Sequence, residues 1–170
     1  MTVSRVLLTA LLLVSAAVLQ VTLVNPLPLP GDGPDLVLLV LIGLAITAGP
    51  TYGAVTGFCA GLLVDLLPPA AGEVGRWALV FCLVGYLAGQ VRMDARRSAV
   101  IVIAVVAALS AFAIVAFAGL GLLFGDERVT NDIFTASLIA TVLYDLLLAP
   151  FVIPAVMALA RRTEVDPSRV

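Results

Sequence analysis

Apolar residues run along this chain in long unbroken stretches, and the polar ones gather in a few short clusters. Punctuation by Pro, Gly and charge divides the apolar stretches into Val6–Val24, Leu36–Ala48, Tyr52–Leu67, Trp77–Val91, Ala99–Phe124 and Ile133–Ala160. Strands of alternating apolar and polar residues are absent, and several runs approach or exceed the roughly 18 residues that mark a membrane-spanning helix. The pattern predicts an all-α, polytopic membrane bundle of about six helices, forming one integral membrane domain over residues 1–170.

Two places test that division. Read as one helix, Leu36–Leu67 would reach about 48 Å, too long for a hydrocarbon core of about 30 Å, so a hairpin is predicted at Gly49-Pro50. Val6–Val24 follows Arg5 and contains Ser15, Ala16 and Ala17, which superficially resemble a signal-peptide cleavage region. The run continues past those small residues and further apolar runs follow, so a retained first helix is expected. The last two runs are long, and Pro150 and Pro154 predict a kink in the second of them.

Glycine spacing adds a packing prediction. Gly53, Gly57 and Gly61 recur every four residues, with Asp65 as the next term, and Gly85 and Gly89 repeat the spacing in the fourth run. Residues four apart lie along one gently winding stripe of a helix. Small side chains there let another backbone approach closely, which matters in lipid, where no hydrophobic force drives helices together. The stripes are predicted to pack against helices of this chain or of a partner.

Two acids lie within these apolar runs. Asp65 falls near the end of its run, where a charge costs less than at the centre, and a cationic or hydrogen-bonding partner is expected; Arg76 is the nearest cation in the following loop. Asp145, within "TVLYDLLLAPFVIP", lies about 18 Å along its helix from Ile133, near the midplane. It is a candidate functional site facing the bundle interior, or alternatively a structural acceptor bonded to Ser, Thr or a backbone group.

Composition agrees with a bilayer setting: 62% of the 170 residues are hydrophobic and only 12% charged, half the charge of an ordinary soluble domain. All nine basic residues are Arg, and the net charge of -2 offers no basic surface for nucleic acid. With six crossings and an internal N-terminus, Arg5, Arg92, Arg96, Arg97, Arg161, Arg162 and Arg169 share one side, leaving Arg76 and Arg128 opposite. The excess of Arg in cytoplasmic loops then places both termini in the cytoplasm. There is no His, and Cys59 and Cys82 lack metal-site spacing and read as packing residues. No cofactor, metal or catalytic constellation is expected, so the chain is not read as an enzyme.

The segments "PDLVLLV" from Pro34, "GPTYGAVTGFCAGLLVDLL" from Gly49, "GRWALVFCLVGYLAG" from Gly75 and "LYDLLLAPFVIP" from Leu143 resemble the MreD family of rod shape-determining proteins. Gly57, Phe58, Gly61, Leu62 and Asp65 match its most recognisable stretch, with Gly85, Tyr86 and Pro150 in support. The resemblance implies a non-catalytic scaffold of the bacterial cytoplasmic membrane that binds MreC. Through MreC it implies association with the actin-like MreB, the glycosyltransferase RodA and a class B penicillin-binding protein, in support of peptidoglycan synthesis. It also implies a bundle similar to the substrate-binding S-components of energy-coupling factor transporters. The rival function is vitamin capture as such an S-component, but Ala10, Ala16 and Ala17 do not supply that class's AxxxA docking face.

Overall fold

In a computed structural model, residues 3–29, 33–67, 74–95, 98–123 and 131–162 are described, and all the regular structure among them is helical. The elements are α1 (Val3–Leu19), a π-helical turn (Gln20–Val24), α2 (Leu36–Ala48), α3 (Pro50–Leu66), α4 (Arg76–Gln90), the single turn α5 (Arg92–Ala95), α6 (Ala99–Leu123) and α7 (Asn131–Arg162).

The predicted hairpin lies between α2 and α3. Gly49 adopts φ 99°, a conformation that L side chains rarely take, and Pro50 occupies the first turn of α3, where its missing N–H costs nothing. Both α2 and α4 are short, at 13 and 15 residues. Among the described residues, three helical stretches, Val3–Val24, Val100–Leu123 and Ile139–Arg162, are by themselves long and apolar enough to cross a membrane. The α7 helix runs through Pro150 and Pro154 without interruption.

The core forms around α2, in which every residue from Val37 to Thr47 is buried. A helix that is apolar on all sides has no face for water, and here it is enclosed by protein: α2 contacts every other α-helix. Leu38, Leu39, Leu41, Ile42 and Ile46 meet Phe81, Val84, Val106 and Ile153 in one cluster. Gly43 admits α7, since a Cβ there would come within 3.0 Å of Val156 Cγ1.

The outer helices are one-sided. In α1, Thr9, Leu13, Ala16 and Ala17 face inward at helical spacing, while Val6, Leu7, Leu11, Val14 and Val18 are exposed. Val100, Val115 and Leu122 on α6 and Leu143, Leu147 and Phe151 on α7 are likewise exposed. Apolar surface of this extent faces lipid chains, in agreement with a membrane bundle. The cysteines depart from expectation: Cys59 is exposed on α3 and Cys82 is half-buried, so Cys59 does not pack in the core.

Candidate functional site

The residues singled out in the sequence fall into two structural groups, both built by short helices. The first is the α3–α4 hairpin. An added Cβ on Gly53 would run into the Gly85 carbonyl, and one on Gly85 into the Gly53 carbonyl. Gly57 meets the backbone of Phe81 and Cys82, Gly61 that of Trp77 and Ala78, and Gly89 that of Gly49 and Pro50 in the same way. The two glycine stripes therefore face each other within this chain along the whole hairpin. At Gly53, Gly57, Gly61 and Gly85 the glycine hydrogen points at a carbonyl oxygen of the opposite helix, the arrangement of weak Cα–H···O contacts.

Asp65 ends this stripe. Its Oδ2 accepts from the N–H groups of Gly75 at 2.8 Å and Ala78 at 3.2 Å, and its Oδ1 from that of Trp77 at 3.3 Å. The first N–H groups of a helix have no intrahelical acceptor, and in apolar surroundings each needs another. Asp65 supplies it across the hairpin from the last turn of α3, and its negative charge suits the positive end of the α4 dipole. Gly75 permits the turn through its φ of 106°, with nothing within 4 Å of where a Cβ would stand.

Arg76, expected in the loop after α3, is instead buried as the first residue of α4. Its guanidinium lies 4.2 Å above the Phe117 ring and donates through Nη2 to the Phe117 carbonyl at 3.0 Å. Trp77 stacks on the same ring with centroids 4.2 Å apart. The start of α4 is thus pinned to α3 by the carboxylate and to α6 by an aromatic and cationic clasp.

The second group surrounds the start of α2. Asp145, fully buried in α7, accepts from the Ser110 hydroxyl of α6 at 2.6 Å and from the Asp35 N–H at 2.8 Å. The Asp35 carboxyl accepts from Leu38 N–H at 2.9 Å as the cap of α2. Gln20, where α1 passes into its π-helical turn, closes the ring: its amide donates to the Pro34 carbonyl and accepts from Leu36 N–H, both at 2.8 Å. Four segments converge here, and the donors at the start of α2 are met from three of them.

The two acids share one task, since each satisfies the N-terminus of a short neighbouring helix. For Asp145 this corresponds to its structural alternative, hydrogen bonding to Ser and a backbone group. Sequence reasoning missed Gln20, Asp35 and Ser110. A signal existed, because Ser110 is the only non-apolar side chain besides glycine in Ala99–Phe124, and Gln20 is the longest polar side chain in Val6–Val24.

A third polar contact lies at the opposite end of α3. Thr9 and Tyr52 share a hydrogen bond of 2.5 Å between their hydroxyls, and Arg5 lies 4.8 Å over the Tyr52 ring. Arg92 Nη1 stands 3.6 Å from the position a Cβ on Gly49 would take, so Arg5, Arg92 and the α2–α3 hairpin share one end of the bundle.

Chemically these groups hold helices together. Asp65 and Asp145 bind backbone N–H groups, and among the described residues no three His, Cys, Asp or Glu side chains are grouped to hold a metal. No curated protein and no solved structure matches the chain. The family described as rod shape-determining protein MreD matches residues 1–163, nearly the full length and both polar groups with it. An all-helical membrane bundle knit by paired glycine stripes and helix-capping carboxylates, this chain belongs to the MreD family and has a role in determining rod shape.

Proposed function

We propose that the protein is a non-catalytic scaffold of the bacterial cell-elongation complex, embedded in the cytoplasmic membrane and binding MreC. The observation that carries this reading is the family match over residues 1–163. The geometry supports it from another side: the intramembrane acids are occupied in holding helices, and exposed apolar faces on α1, α6 and α7 remain for other membrane proteins. Through MreC the chain would support peptidoglycan synthesis by RodA and a class B penicillin-binding protein along MreB.

In this reading the chain crosses the membrane six times with both termini in the cytoplasm. Arg5 and Arg92 at one end of the bundle, with Arg161 and Arg162 closing α7, support that orientation by the excess of cations on the cytoplasmic side. The short α2 crosses only with help, since its 13 residues reach about 20 Å, and its capped N-terminus makes a start below the membrane surface tolerable.

The test is affinity purification from bacterial membranes followed by depletion in cells. Recovery of MreC with the tagged chain, and conversion of rods to spheres on depletion, are the expected results. Tight binding of a vitamin by the purified protein, with no recovery of MreC, would overturn the scaffold reading in favour of solute capture.

A further inference from the structure

An open cleft of about 440 Å³ separates the first turns of α6 from the C-terminal half of α7. Its volume falls within the range of small-molecule sites. Val102 on α6 and Pro154, Met157 and Ala158 on α7 give it apolar walls, and Ser98 and Arg161 stand at the end where α6 begins and α7 finishes. The lining extends along α7 as far as Ala149, twelve residues from Arg161.

Depth, width and charge together define what fits. Twelve helical residues span about 18 Å, close to the roughly 15 Å of hydrocarbon in one leaflet. A helix about 10 Å across over that length fills on the order of 1,400 Å³, some three times the cleft, so the cleft does not enclose a partner helix. A single acyl chain is slender enough. At the polar end, the Arg161 guanidinium is a planar donor suited to phosphate oxygens. Arg162 follows it at the end of α7 and adds a second cation to that end.

We infer that the α6–α7 cleft is a binding site for one anionic phospholipid, its phosphate at Arg161 and Ser98 and one acyl chain along Val102, Pro154 and Met157. Basic pockets between membrane helices recognise anionic headgroups in this manner. The site rests on the chain lying in a bilayer and is independent of whether MreC is its partner.

The experiment is native mass spectrometry of the purified full chain, titrated with phosphatidylglycerol or with phosphatidylcholine of the same acyl chains. One phosphatidylglycerol should be retained about fivefold or more tightly than phosphatidylcholine, and Arg161→Gln should weaken it about fivefold, the effect of one interfacial cation. Arg162→Gln, which removes a neighbouring cation outside the cleft lining, should weaken retention clearly less than Arg161→Gln. Ala158→Trp should abolish it by filling the groove, and Ile103→Trp does so from the opposite wall if the first variant lowers the unfolding midpoint. Equal retention of the two lipids, equal losses for Arg161→Gln and Arg162→Gln, or full retention in a well-folded tryptophan variant would each overturn the site.

Discussion

Asp65 sits in a membrane helix because the next helix needs an acceptor, and this requirement predicts how its variants behave. Asparagine keeps one carboxyl-like oxygen, whereas leucine keeps none and leaves the Gly75, Trp77 and Ala78 N–H groups without the carboxylate they now share. Asp65→Leu should therefore cost about 1–3 kcal/mol, the usual penalty of an unsatisfied buried donor, and Asp65→Asn clearly less. Unfolding midpoints in mixed-detergent titrations measure both; a wild-type midpoint for Asp65→Leu would remove the capping role. Asp145 invites a parallel measurement. Ser110→Ala removes one of its donors and should cost about 1 kcal/mol, while Asp145→Leu also strips the Asp35 N–H of its acceptor and should cost more. A double-mutant cycle between Ser110 and Asp145 should show coupling, because the two side chains are bonded directly. Strict additivity would contradict the 2.6 Å bond.

Among elements, the α3–α4 hairpin is the closest pairing in the fold, and its closeness depends on hydrogen atoms standing where side chains would collide with backbone. A clash with backbone cannot be relieved by changing a rotamer, so even Gly57→Ala should separate the helices. The double variant Gly57→Leu, Gly61→Leu should lose folded yield outright, against an overpacking cost of about 1–3 kcal/mol for a single misfit. Gly119→Ala in α6 is the control, since nothing lies within 4 Å of its added Cβ, and it should behave as wild type. Size-exclusion profiles and thermal midpoints of the three proteins decide the matter; a monodisperse double variant of normal stability would show that the contact is dispensable. These variants act through the fold of the chain itself, because the stripe is covered by α4 and is not presented to a partner.

For the molecule as a whole, the predicted arrangement in the membrane follows from where the cations lie. Reporter fusions or single-cysteine labelling, with Cys59 and Cys82 first replaced, should find the N-terminus, the Gly49 hairpin and the C-terminus on the cytoplasmic side. The start of α4 near Gly75 should be accessible only from outside. An external C-terminus would change the number of crossings and the leaflet in which the α6–α7 cleft opens. Covering the apolar faces of α1, α6 and α7 should in turn depend on lipid or protein, so that removing both should lead to aggregation in a mild detergent below its micellar concentration.

Much of this was legible in the chain before any coordinates. Runs of apolar residues dictated an all-helical membrane protein, because unpaired backbone in lipid leaves few other structures open. Gly49-Pro50 marked the hairpin by a length argument and by the chemistry of those two residues. The four-residue glycine spacing marked a close helix contact, since spacing alone fixes which residues share a face. Tertiary structure decided the rest. By composition α2 and α6 are both almost entirely apolar, yet α2 is enclosed on every side and α6 faces lipid along much of its length. Hydropathy cannot separate protein interior from lipid, because both are apolar solvents. The partners of Asp65 and Asp145 were hidden for a related reason: they are chiefly backbone N–H groups, which every residue but proline carries, and only the three-dimensional placement of a helix start beside a carboxylate selects which of them are bound.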